Sequence, residues 1–143
     1  MSKIAVVYWS GTGNTEAMAA AVAEGAQATG AGAELFTAAE FSPEQLQGFG
    51  AVAFGCPSMG EEQLEESEFE PLFSACEAGL KGKKTALFGS YGWGDGEWMR
   101  NWEDRCRQNG AELIADSVIC NNEPDEEALI ACRALGSALA QNA

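Results

Sequence analysis

The sequence contains no histidine. That removes the side chain most used for proton transfer near neutral pH, and the commonest metal ligand. Positive charge is also scarce: eight Lys and Arg stand against twenty-two Asp and Glu, a net charge of −14. Nucleic acid and anionic membrane surfaces are therefore excluded as expected partners, because both are gripped through Lys and Arg. The cysteines, Cys56, Cys76, Cys106, Cys120 and Cys132, are odd in number and form no CxxC pair. Neither a zinc pattern nor a disulfide framework emerges, and reduced thiols packed as small hydrophobes are expected. No apolar run approaches the ~20 residues of a membrane span, and the start, MSKIAVVYWSG, lacks a signal-type apolar stretch. A cytoplasmic location is expected.

What remains is a chain of 143 residues, 46% apolar, which suits one domain over residues 1–143. Strand and helix signals alternate along it. Residues 3–9 are a near-continuous apolar run, as in a strand buried on both faces. Residues 15–29 are Ala-rich and stop at Gly30, as a helix would. Further strands are predicted at 33–36, 51–55, 85–89 and 113–120, the last interrupted around Asp116. Further helices are predicted at 68–78, 96–109 and 124–141, with a helical turn at 43–46. Such alternation predicts an α/β fold, a five-stranded parallel sheet with helices on both faces. Ligands of such sheets bind outside the carboxyl ends of the strands.

Three glycine-rich loops fall at those ends. The first, Ser10-Gly11-Thr12-Gly13-Asn14-Thr15, joins a strand to a helix and carries only uncharged donors. Backbone N–H groups at a helix N-terminus, aided by the helix dipole, make an anion site. The Walker pattern GxxxxGK[ST] is absent, and the dinucleotide pattern GxGxxG fails at Glu16. A terminal monophosphate therefore fits better than a pyrophosphate, and a plain capping turn is the alternative. The other two loops are Cys56-Pro57-Ser58-Met59-Gly60-Glu61-Glu62 and Ser90-Tyr91-Gly92-Trp93-Gly94-Asp95-Gly96. Each sets one polarisable side chain, Met59 or Trp93, among small residues. Together they could wall a slot for a planar ring; the alternative is that Trp93 is core. Trp98 and Trp102, spaced i, i+4, read as packing rather than as a second platform.

With these stretches in view, the chain resembles a short-chain flavodoxin of the clostridial, anaerobic bacterial type. The resemblance is carried by VVYWSGTGNTEAMA, GCPSMGEEQLEESEFEP, ALFGSYGWGDGEWMRNWEDR and NNEPDEEA, which touch every strand end. It implies a flavodoxin-like three-layer α/β/α sandwich with strand order 2-1-3-4-5, binding FMN at the switch point. It implies that Ser10, Gly11, Thr12, Gly13, Asn14 and Thr15 hold the FMN phosphate. Met59 would cover the inner face of the isoalloxazine and Trp93 the outer face, with Gly92 and Gly94 near the pyrimidine edge. Glu62 would approach N3–H, and the Met59–Gly60 peptide would turn over on reduction. Pro57, Ser58, Glu61, Ser90 and Tyr91 complete the implied FMN-contacting set. Two positions depart from the family pattern: Glu61 stands where some members carry Asp, and Pro57 where some carry Ser.

The implied function is a low-potential one-electron carrier whose FMN cycles between semiquinone and hydroquinone, not an enzyme. The alternative is an FMN-dependent NAD(P)H:quinone or flavin reductase of the same fold. That reading needs a second substrate pocket over the ring face that Trp93 would cover. Expected partners are redox enzymes with basic docking faces: ferredoxin- or flavodoxin-dependent oxidoreductases and an NAD(P)H reductase. A monomer is expected. Residues 61–70 hold six glutamates, read as an acidic rim that steers partners and disfavours an anionic reduced flavin. Glu61, Glu62 and Glu65 are expected to lower the second potential.

Overall fold

Ile4, Ala5, Val6 and Val7 are all fully buried. A strand with both faces dry must lie inside a sheet that is covered on both sides. They belong to β1 (Lys3–Tyr8) of the computed structural model, which describes residues 3–59 and 63–143. β1 pairs in parallel with β2 (Gly32–Thr37) on one side and β3 (Ala51–Gly55) on the other. β3 pairs with β4 (Lys84–Tyr91), and β4 with two short pieces, β5 (Glu112–Leu113) and β6 (Val118–Asn121), again in parallel. The order is the expected 2-1-3-4-5.

The fifth strand is broken where Asp116 suggested it. Ile114 N–H still reaches the Thr85 carbonyl at 3.2 Å, and pairing resumes at Val118 opposite Phe88. In between, the Ser117 hydroxyl donates to Glu103 at 2.6 Å, a side-chain bond of the kind that competes with a ladder.

The two layers follow from the alternation of side chains along β1. Ile4 and Val6 enter a core shared with Met18 and Val22 of α1 (Asn14–Gln27) and with Leu135 and Leu139 of α5 (Glu126–Asn142). Ala5 and Val7 enter the opposite core, shared with Leu46 of α2 (Pro43–Leu46), Phe69 and Phe73 of α3 (Phe69–Cys76), and Trp98 and Trp102 of α4 (Glu97–Gln108). The first core is built of small residues. A Cβ on Gly25 would lie 1.9 Å from the Arg133 carbonyl oxygen, and one on Gly136 1.9 Å from that of Val22. The second core is aromatic: Phe54 meets Phe73 edge-on at 5.1 Å, and Phe69 meets Trp102 edge-on at 5.5 Å. Trp98 and Trp102 are each only 2% exposed, so both are core.

One polar junction ties α3 to α4. The Arg105 guanidinium bonds Glu70 through two nitrogens, both at 2.7 Å, and Glu77 at 2.9 Å, while lying 4.8 Å over the Phe73 ring. Hydrogen bonds from Arg105 hold both carboxyls below their ordinary range. All five cysteines are free, and all but Cys120 are buried. Among the described residues, no helix is long and apolar enough to cross a membrane.

Candidate cofactor site

The chain reverses its winding between β1 and β3, and the loops from the carboxyl ends of β1, β3 and β4 meet there. Gly13 caps α1 in a left-handed conformation, φ 94°. A Cβ there would meet nothing within 4 Å, so the constraint is the backbone angle and not space. The Ser10 hydroxyl accepts from Gly13 N–H at 3.1 Å and from Glu16 N–H at 3.3 Å, which winds the loop tightly. Among the described residues, the N–H groups of Ser10, Gly11, Thr12 and Thr15 find no protein acceptor. These donors lie in the loop leading into α1 and, for Thr15, in its first turn; with the helix dipole behind them they suit a dianion. Thr15 is buried, and its hydroxyl lies 3.4 Å from that of Ser90, joining the cradle to the end of β4.

The loop after β3 is tied down at both ends. Cys56 N–H donates to the Phe88 carbonyl at 3.2 Å, and Ser58 N–H to that of Ser90 at 3.0 Å. The Cys56 carbonyl accepts from the Trp98 indole at 3.2 Å. Met59 and Gln63 exchange a pair of backbone bonds, both 2.8 Å. Met59 is 37% exposed. Gly60, Glu61 and Glu62, three of the residues expected to contact the cofactor, lie outside the described residues.

Glu65 differs from its expected place on the acidic rim. It is 6% exposed and does not face solvent. Its carboxylate accepts from Glu68 N–H at 2.8 Å, Phe69 N–H at 2.9 Å, Ser67 N–H at 2.9 Å and the Ser67 hydroxyl. Burial opposes its ionisation, but the bonds from the Ser67 hydroxyl and the Phe69, Glu68 and Ser67 amides outweigh it and hold the pKa at about 2. Phe69 N–H is a donor that α3 leaves unpaired at its start, and the Ser67 and Glu68 amides lie in the turn leading into it; together they explain why an acid is buried there.

A cleft of about 220 Å³ opens between the loops. Of the expected site residues, Gly11, Thr12, Asn14, Pro57, Ser58, Met59, Ser90, Tyr91 and Gly92 line it. Ser10, Gly13, Thr15, Trp93 and Gly94 do not. The first three carry the loop's own bonds: Ser10 through its hydroxyl, Gly13 as the cap of α1, and Thr15 through its contact with Ser90. Trp93 is 59% exposed, presented to solvent rather than packed in the core.

Two lining residues, Trp9 and Asn122, were not expected. Trp9 ends the first apolar run and reads as strand. Its indole instead donates to Glu68 at 3.0 Å and lines the cleft. Asn122 has φ 59° and donates its N–H to the Tyr91 carbonyl at 2.8 Å. An Asn following a strand was the available signal, since Asn tolerates that conformation. Tyr91 leans on Trp98, with ring centroids 5.4 Å apart. The Cys56 thiol is pushed up by burial, so it is no nucleophile at neutral pH.

A larger groove, about 470 Å³, runs beside α4 past Glu66, Glu70, Trp102 and Arg105. Its one lining cation, Arg105, is already bound by two carboxylates. It lies away from the strand-end donors, so the smaller cleft is the candidate site.

A doubly wound parallel sheet with a lysine-free, donor-rich loop and apolar side chains at its switch point has the frame of a mononucleotide-binding α/β protein. The flavodoxin family model matches residues 6–136. The chain is 46% identical over 121 residues to a flavodoxin of Clostridium beijerinckii, covering 85% of this chain and 88% of the relative. It is 43% identical over 138 residues to a flavodoxin of Megasphaera elsdenii, covering 96% and 98%. The solution structure of two-electron reduced Megasphaera elsdenii flavodoxin superimposes with a TM-score of 0.89, again covering 96% and 98%. The chain belongs to the flavodoxin family, whose members are electron-transfer proteins that bind FMN.

Proposed function

We propose that this protein carries single low-potential electrons, with FMN seated in the strand-end cleft. The observation that carries the reading is the unpaired N–H set of the 10–15 loop beside an apolar wall that includes Met59. Bound FMN would supply one-electron chemistry, and the residues serve to bind, orient and shield it. Ser10, Gly11, Thr12, Gly13, Asn14 and Thr15 hold the phosphate without adding positive charge. Met59 and Trp93 cover the two ring faces and keep water from them. Pro57, Ser58, Ser90, Tyr91, Gly92 and Gly94 shape the edge of the slot. Gly60, Glu61 and Glu62, together with Trp93 and Gly94, which do not line the cleft, take their proposed roles from the family resemblance alone.

The same reading makes residues 1–143 one FMN-binding unit, working as a monomer in the cytoplasm. The net charge of −14 favours redox partners with basic docking faces. Oxidoreductases that use ferredoxin or flavodoxin, and an NAD(P)H reductase, have the required chemistry. The alternative of an FMN-dependent NAD(P)H:quinone or flavin reductase gains no support from the relatives named above.

Anaerobic photoreduction of the FMN-loaded protein, followed by its visible spectrum, tests the proposal. Two resolved one-electron steps are expected. Direct two-electron reduction, or reduction by NADPH alone, would overturn it in favour of a reductase.

A further inference from the structure

The loop that carries Met59 is closed by a neck, and Glu65 sits at the centre of that neck. Its backbone N–H donates to Cys56 Sγ at 3.4 Å, and its carbonyl accepts from Glu70 N–H at 2.8 Å. Its buried carboxylate binds the amides of Ser67, Glu68 and Phe69. One residue thus joins the outgoing arm of the loop, the returning arm and the first turn of α3.

Both arms lead to the cleft. On one side Cys56 is fixed to β4 and to Trp98, and three residues on stands Met59. On the other, Glu68, whose N–H Glu65 holds, grips the Trp9 indole at 3.0 Å, and Trp9 is a wall of the same cleft. Met59 and Trp9 come from different strands' loops: hydrogen bonds through Glu68 connect Trp9 to Glu65, and Met59 follows three residues along the chain from Cys56, which Glu65 bonds directly.

We propose that Glu65 is a positioning residue for the redox chemistry: it fixes Met59 and Trp9 at the cofactor wall and so sets the spacing of the two one-electron potentials. The proposal rests on the reading of this cleft as the FMN site. Removing the clamp should loosen the wall without removing any group that touches FMN. Glu66, the exposed neighbour, supplies the control, because Glu66→Gln deletes the same charge and leaves the neck intact.

The experiment compares wild type, Glu65→Gln, Glu66→Gln and the milder Ser67→Ala. Amide hydrogen exchange is measured on the FMN-free proteins, and both potentials on the FMN-loaded ones. Glu65→Gln should lose at least tenfold protection at Glu68 and Phe69. It should also change the ratio set by the two potentials by about tenfold, near 59 mV in their separation, with Ser67→Ala smaller in both and Glu66→Gln unchanged in protection. Should Glu65→Gln fail to fold, Ser67→Ala carries the test alone, judged against Glu66→Gln. Lost protection with a separation equal to that of Glu66→Gln would make Glu65 merely structural and overturn the proposal. Retained protection would overturn it as well. Failure of the wild type itself to bind FMN would instead sink the cleft assignment, a result separable from both.

Discussion

Gly136 of α5 lies against Val22 of α1 so closely that a Cβ would stand 1.9 Å from the Val22 carbonyl oxygen. Gly25 of α1 stands in the same relation to Arg133 of α5. The two helices touch backbone to backbone, each supplying one of the glycines. Gly136→Ala must push them apart, and overpacking of this kind costs about 1–3 kcal/mol, at times more. Urea denaturation of the FMN-free protein should show a loss at or above the top of that range. The contact falls on Val22 and Ala26, in the half of α1 away from the 10–15 loop, and the layer carrying α3 and α4 is on the other side of the sheet, so potentials of the loaded variant should stay at wild-type values.

Gly13→Ala isolates the cradle's backbone requirement. The new Cβ has open space, but φ 94° is unfavourable for any L side chain. The expected cost is about 1–2 kcal/mol. It should appear as weaker FMN binding by roughly tenfold, since about 1.4 kcal/mol is a factor of ten. Quenching of flavin fluorescence on titration reads this directly.

Trp93→Ala separates stability from binding. The indole is 59% exposed, so its loss should change the stability of the FMN-free protein by less than about 0.5 kcal/mol. FMN affinity should fall by about 1 kcal/mol or more, the worth of an aromatic stacking partner. An unaltered affinity would remove Trp93 from the ring site.

The acidic loop gives a prediction for Glu61 and Glu62. One charge about 10 Å from the ring contributes about 0.4–1.7 kcal/mol of repulsion, depending on the dielectric. Replacing each with Gln should raise the second potential by about 20–70 mV. Glu65 is excluded from this set, because its replacement would disturb α3 as well as the field. Redox titration of single and double variants checks both sign and additivity.

Acid should act through the carboxylates that the fold holds ionised. Glu65 is held at about 2 against an ordinary 4.5. A depressed pKa contributes stability that is fully present above the ordinary value and is lost as pH falls towards the folded one. The contribution is on the order of 3 kcal/mol, and its loss should run from about pH 5 downward. Glu70 and Glu77, held down by Arg105, act in the same direction. Urea midpoints should therefore fall more steeply between pH 5 and 3 in wild type than in Glu65→Gln.

Much of this was legible in the sequence. The dry run at Ile4–Ala5–Val6–Val7 announced a central parallel strand, and Gly or Pro marked most element ends. The place of the 10–15 loop, between β1 and α1 at the strand-end cleft, was legible because small residues between an apolar run and an Ala-rich helix mark such a turn. Glu65 was not, because a carboxylate in an acidic run looks the same whether it faces water or caps a helix. Trp9 was hidden for a related reason: the residue that ends a buried strand and the residue that walls a strand-end cleft occupy the same position. Asn122 was visible only as a turn former, since its place in the cleft depends on β6 returning beside β4.

The cradle's lack of lysine and arginine has a kinetic consequence. A dianionic ligand approaching this chain meets a field of its own sign and reaches its donors only at contact. Dissolved ions shorten the reach of that field, to about 10 Å at 0.1 M, while short N–H bonds within the cradle are little affected. Raising ionic strength should therefore speed FMN uptake, where a lysine-lined phosphate site would slow down.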